Sequence, residues 1–129
     1  MASIIKQVTL ASDPETAWRA VADVGAINKL ITFLGEVTVD GDRRVCSLGE
    51  GGALEELIVT VDDENRRVAY SITRSPFGFT HHHAVMAVEA EGPGSRLTWT
   101  TDFKPDEVAG PLGEAIDASV TSIRDVLGR

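Results

Sequence analysis

The side chains able to do chemistry gather in the middle of the chain: Arg44, Cys46, Glu56, Tyr70 and the run His81-His82-His83. An imidazole changes charge near neutral pH, so it suits a general base, a hydrogen-bonding group or a metal ligand. A metal centre needs three or four ligands in one place. His81 and His83, two residues apart, would offer two from one strand face, and no sequence-near Asp, Glu or Cys supplies an obvious third. No metal site is assigned. A carboxylate carried into an interior must be paired or protonated, and Arg44 is the expected counter-ion for Glu56.

What positions the histidines is a strand. Pro76 and Gly78 precede them, Ala84-Val85-Met86-Ala87-Val88 follows, and Gly92-Pro93-Gly94 closes the stretch. Neighbouring side chains on a strand point to opposite faces. His82, Ala84, Met86 and Val88 make the more apolar face, so His82 is expected inward, with His81 and His83 outward. A bulge after Gly78 would exchange the two sets. Burial is expected to push the His82 pKa down.

The same parity marks further inward sets: Leu54, Glu56 and Ile58; Val68, Tyr70 and Ile72; Leu97, Trp99, Thr101 and Phe103. Arg44, Cys46 and Leu48 also share one face. Around them the pattern predicts seven strands: residues 4–10, 36–39, 43–48, 54–62, 68–74, 80–90 and 96–103. Most connections are short, which implies antiparallel neighbours. Two short helices fall between the first two strands. Ser12-Asp-Pro-Glu15 opens the earlier one with capping-box spacing, and Trp18 anchors it. The later one covers residues 26–33. A long terminal helix is read from Val108, Leu112, Ile116, Val120, Ile123 and Leu127, with regular geometry from about Pro111. Ala115, Ala118, Ser119 and Ser122 lie among its large residues. Small groups there either leave room beside the sheet or allow close packing, and spacing alone favours neither.

Length and charge bound the class. With 129 residues the chain suits one domain, residues 1–129, with a core of its own. The net charge of −8 opposes binding to a phosphate backbone, so no nucleic-acid partner is expected. No segment approaches the ~20 apolar residues of a membrane span, so no insertion is expected. Cys46 stands alone, which excludes an intrachain disulfide and fits a reducing, cytoplasmic setting.

Asp13-Pro-Glu-Thr-Ala-Trp18 with Asp23, Glu56-Leu-Ile58, Arg67-Val-Ala-Tyr70, Ser75-Pro-Phe77 and Leu97-Thr-Trp-Thr-Thr-Asp-Phe-Lys-Pro105 stand in this order along nearly the whole chain. In order and spacing it resembles the SRPBCC superfamily of helix-grip proteins, and within it the polyketide cyclase/dehydrase-like branch. The resemblance implies an α+β helix-grip fold (START/birch-pollen-allergen-like). A seven-stranded curved antiparallel sheet would wrap the long C-terminal helix, with a cavity between them. Leu30 departs from the pattern, since many relatives carry tryptophan there.

The resemblance implies a small hydrophobic ligand, polyketide- or lipid-like. The expected contacts are Trp18, Leu30, Glu56, Ile58, Tyr70, His82, Met86, Trp99, Ile116 and Ser119. The alternative is an aromatase/cyclase that folds a poly-β-ketone chain for aldol cyclisation and dehydration. His82 would then move protons and Arg44 would stabilise an enolate oxygen. No motif calls for a cofactor. A monomer or weak homodimer is expected.

Overall fold

The strands form where apolar and β-branched residues gather, and the turns between them fall on glycine, proline or a polar cluster. The computed structural model describes residues 1–128. Strand β1 (Ala2–Leu10) leads into helix α1 (Pro14–Ala22) and a 3-10 segment at Val24–Lys29. Six strands follow: β2 (Val37–Asp40), β3 (Arg43–Ser47), β4 (Ala53–Asp62), β5 (Arg67–Arg74), β6 (His81–Glu91) and β7 (Gly94–Lys104). Helix α2 (Ala109–Leu127) closes the chain. The strands form one antiparallel sheet in the order β1-β7-β6-β5-β4-β3-β2. The expected helix-grip architecture is therefore present.

Local chemistry accounts for the boundaries. Pro14 at the first helical position needs no amide partner, and the Asp13 carboxylate accepts from the Thr16 amide at 2.8 Å. The cap is thus Asp13 rather than Ser12. Ser12 instead ties the end of α2 to β1, since its amide and hydroxyl both donate to the Leu127 carbonyl. The expected second helix is a shorter 3-10 segment. Helix α2 begins at Ala109, two residues before Pro111, because proline in a first turn removes no intrahelical bond. Between β6 and β7 the two-residue turn Gly92-Pro93 needs a positive φ at Gly92, 57°.

The core lies between the inner face of the sheet and the two helices. Leu10, Leu97, Phe103 and Ile123 are fully buried, each contributing about 1.5–3 kcal/mol by leaving water. Leu112, Ile116, Ser119, Ile123 and Leu127 form the buried stripe of α2. The alternation along β6 holds: His82, Ala84, Met86 and Val88 are buried, His81 is exposed and His83 half-buried.

Candidate functional site

Between the sheet and α2 the core is incompletely filled, leaving a cavity of about 130 Å³. Its floor is Tyr70 and Ile72 on β5, His82 and Met86 on β6, and Trp99 and Thr101 on β7. Leu112, Ala115, Ile116 and Ser119 of α2 form the roof. The small side chains of α2 therefore leave room here. The Ser119 hydroxyl turns back to the Ala115 carbonyl at 2.7 Å, which satisfies it within the helix. Ile27, Ile31, Phe33 and Leu34 close one side; Phe33, 52 % exposed, stands at the rim.

The polar groups follow from strand register. Arg44 and Glu56 are direct cross-strand partners on the inner faces of β3 and β4. Their side chains pair at 2.7 Å (Nε to Oε1), both almost completely buried. Arg44 also donates to the Val24 carbonyl at 3.1 Å, and its guanidinium lies 5.4 Å from the centre of the Tyr70 ring. Burial opposes the arginine charge, but the Glu56 carboxylate outweighs it and the Arg44 pKa rises. Cys46 donates to the same Glu56 oxygen at 3.4 Å. Burial first, and the Glu56 charge second, push its thiol up to about 12, so it stays protonated and is no ready nucleophile.

Tyr70 accepts from the Trp99 indole N–H at 3.2 Å. Burial, then the Glu56 carboxylate, raise the phenol pKa, and its proton remains available to donate. The Thr101 hydroxyl is buried on the cavity wall without a hydrogen-bond partner among the described residues.

His82 owes its setting to a ladder that stops early. Strands β5 and β6 pair as far as Tyr70 with Ala84 and then separate. Beyond that point the Ile72 amide donates to Nδ1 of His82 at 2.9 Å. An amide can only donate, so Nδ1 must accept, and the neutral ring carries its proton on Nε2. Phe79 and Tyr70 flank the ring at centroid distances of 4.9 and 5.6 Å. Burial, with smaller contributions from His83 and His81, lowers the pKa to about 4. The proton-accepting role expected in the cyclase reading meets a physical obstacle: the lone pair a base needs is already engaged.

Of the sequence-expected contacts, Arg44, Glu56, Tyr70, His82, Met86, Trp99, Ile116 and Ser119 meet around the cavity. Trp18, Leu30 and Ile58 are not among its lining residues. Trp18 sits on α1, which packs on β5, β6 and β7, and its indole donates to Asp63 at 3.0 Å. The Ile31 amide bonds to the Ile27 carbonyl as in an α-turn, stacking those two on the cavity and rotating the buried Leu30 aside. The β4 register slips between Ile58 and Thr60, and Ile58 is left half-buried, packed against the core beside that bulge. Thr101 was legible as inward by parity, but its unsatisfied hydroxyl was not. Phe77, at the loop entering β6, gave no periodic signal. Among the described residues, no group of three or more His, Cys, Asp and Glu could hold a metal ion, and no helix is long and apolar enough to cross a membrane.

The family described as polyketide cyclase / dehydrase and lipid transport matches residues 1–129. No curated protein matches the sequence. Among solved structures, an uncharacterized protein from Bacillus thuringiensis is 16% identical, with TM-score 0.90 and 98% of each chain covered. A Thermobifida fusca protein is 23% identical, with TM-score 0.81, covering 100% of this chain and 97% of the other. Ara h 8.0201 is 17% identical, with TM-score 0.76, covering 98% of this chain and 97% of the other. At these identities the structures show the shared fold. The chain belongs to the polyketide cyclase/dehydrase and lipid transport family.

Proposed function

We propose that this family member binds a hydrophobic small molecule, polyketide- or lipid-like, in the cavity between the sheet and α2. One observation carries the reading: an interior void walled mainly by apolar side chains, with a few polar groups at fixed positions. That is the usual composition of a small-molecule site. Its about 130 Å³ falls below the roughly 300–1,000 Å³ of drug-sized sites and near the roughly 150 Å³ that accepts one benzene ring. A single ring or a short chain fits as the cavity stands; a polycyclic molecule needs Phe33 and its neighbours to move. The negative net charge supports a partner that is not a nucleic acid. On this reading the chain acts as one cytoplasmic domain, as a monomer or weak homodimer.

The cyclase alternative is less well supported, because His82 lacks a free lone pair and the Cys46 thiol is held protonated. Both readings meet one experiment. A panel of polyketides, flavonoids and fatty acids is tested by tryptophan fluorescence and thermal unfolding. A ligand at a hundred times its Kd should stabilise the fold by about 2.7 kcal/mol. A panel that changes neither signal contradicts the binding reading; turnover of a polyketide would favour the cyclase.

A further inference from the structure

We propose that His82 is the specificity-determining donor of the cavity, selecting a neutral ligand that carries a hydrogen-bond acceptor such as a ketone or ester oxygen. This rests on the cavity being the binding site. The argument starts from the Ile72 amide, which fixes the imidazole by donating to Nδ1 at 2.9 Å. The ring then offers the cavity only its Nε2–H, a donor without a protein partner among the described residues.

Two neighbouring walls reinforce the polarity. The Tyr70 oxygen already accepts from Trp99, so its own proton is the uncommitted part. The Thr101 hydroxyl, 1 % exposed, lines the cavity with no partner among the described residues. Tyr70, Ala84 and Thr101 lie in one row across β5, β6 and β7, and His82 is the next inward residue on β6. The donors therefore surround one small side chain rather than being scattered. The Glu56 carboxylate, by contrast, is held at Oε1 by Arg44 and Cys46.

Charge decides between a neutral acceptor and an anion. Arg44 is the only Lys or Arg among the lining residues, and Glu56 cancels it. A ligand carboxylate would lose its hydration and find no uncompensated cation. A carbonyl oxygen loses far less and recovers a bond from Nε2–H.

Three probes of similar size separate the possibilities: acetophenone, ethylbenzene and benzoate. Affinities are read by NMR titration of the wild-type protein and of His82→Asn. In that variant the amide oxygen can take the place of Nδ1 and keep the Ile72 bond, while the amide –NH2 of the shorter side chain stops near the ring's Cδ2 position and does not reach that of Nε2–H. The expected result is that acetophenone binds at least about tenfold more tightly than either other probe, one hydrogen bond's worth. In His82→Asn its advantage over ethylbenzene should shrink to within about threefold. Equal binding of acetophenone and ethylbenzene overturns the inference and leaves the binding reading intact, as does benzoate binding tightest or an unchanged ratio in the variant. If no probe binds, the proposed site itself fails. Should the variant not fold, imidazole ¹⁵N shifts of the wild type still decide: a proton on Nε2 and an accepting Nδ1 are expected, and the opposite tautomer overturns the proposal.

Discussion

The Ile72 amide donates to Nδ1 of His82 where the β5–β6 ladder has already ended, so a side chain takes over the work of a backbone carbonyl. One contact thus satisfies a buried amide, fixes a tautomer and orients a ring in the cavity wall. The same residue both supports the sheet and lines the cavity.

Removing that acceptor has a defined cost. His82→Ala leaves the Ile72 amide unpaired and should destabilise the protein by about 1–3 kcal/mol in urea unfolding. His82→Asn, which can restore the acceptor, should recover most of the loss. Equal losses in the two variants would show that the amide contact is not what His82 contributes.

The pH dependence follows from the same setting. The folded His82 pKa of about 4 lies below the ordinary 6.5. Between those values the unfolded chain binds a proton that the folded chain does not, so stability falls as the pH drops from 6.5 toward 4. The contribution is fully present above 6.5, and its size is on the order of 3 kcal/mol. The stability of the wild type relative to His82→Asn should therefore fall between about pH 7 and pH 4.5. A constant difference would contradict the depressed pKa.

The Arg44–Glu56 pair is buried on both sides. Glu56→Gln leaves the guanidinium uncompensated and should cost about 3–5 kcal/mol. Replacing both residues together, Arg44→Met with Glu56→Leu, should cost much less than the sum of Arg44→Met and Glu56→Leu made singly. Denaturant unfolding of the full cycle measures the coupling, and additive losses would mean the pair does not act as a unit.

Cys46 offers a chemical readout. With its thiol pushed up to about 12, the folded protein should react with iodoacetamide at pH 8 on the order of a thousandfold more slowly than a free thiol. Unfolding in urea should restore ordinary reactivity. Labelling of the folded protein at the free-thiol rate would refute the buried setting.

Much of this was legible along the chain because period two fixes a strand's faces. Alternation placed His82, Tyr70 and Trp99 on the inner side, and Arg44 and Glu56 were readable as a pair from their charges. What stayed hidden depends on geometry that periodicity does not carry. The early end of the β5–β6 ladder gives His82 its partner, and no sequence signal marks it. Leu30 was expected on the wall, but an α-turn from Ile27 to Ile31 turns it away. The resemblance implied Trp18 as a ligand contact, whereas its indole is committed to Asp63 across the fold. The missing partner of Thr101 is a fact of packing, not of composition.

The two tryptophans give the most direct test of the central claim. Trp99 lines the cavity, and Trp18 does not. In a ¹H–¹⁵N titration with acetophenone, the Trp99 indole cross-peak should shift to saturation while that of Trp18 stays in place. Ala115→Leu, which fills the roof, should weaken the effect at least about tenfold without loss of thermal stability. A Trp99 signal that does not move, or a shift confined to Trp18, would contradict the assignment of this cavity as the ligand site.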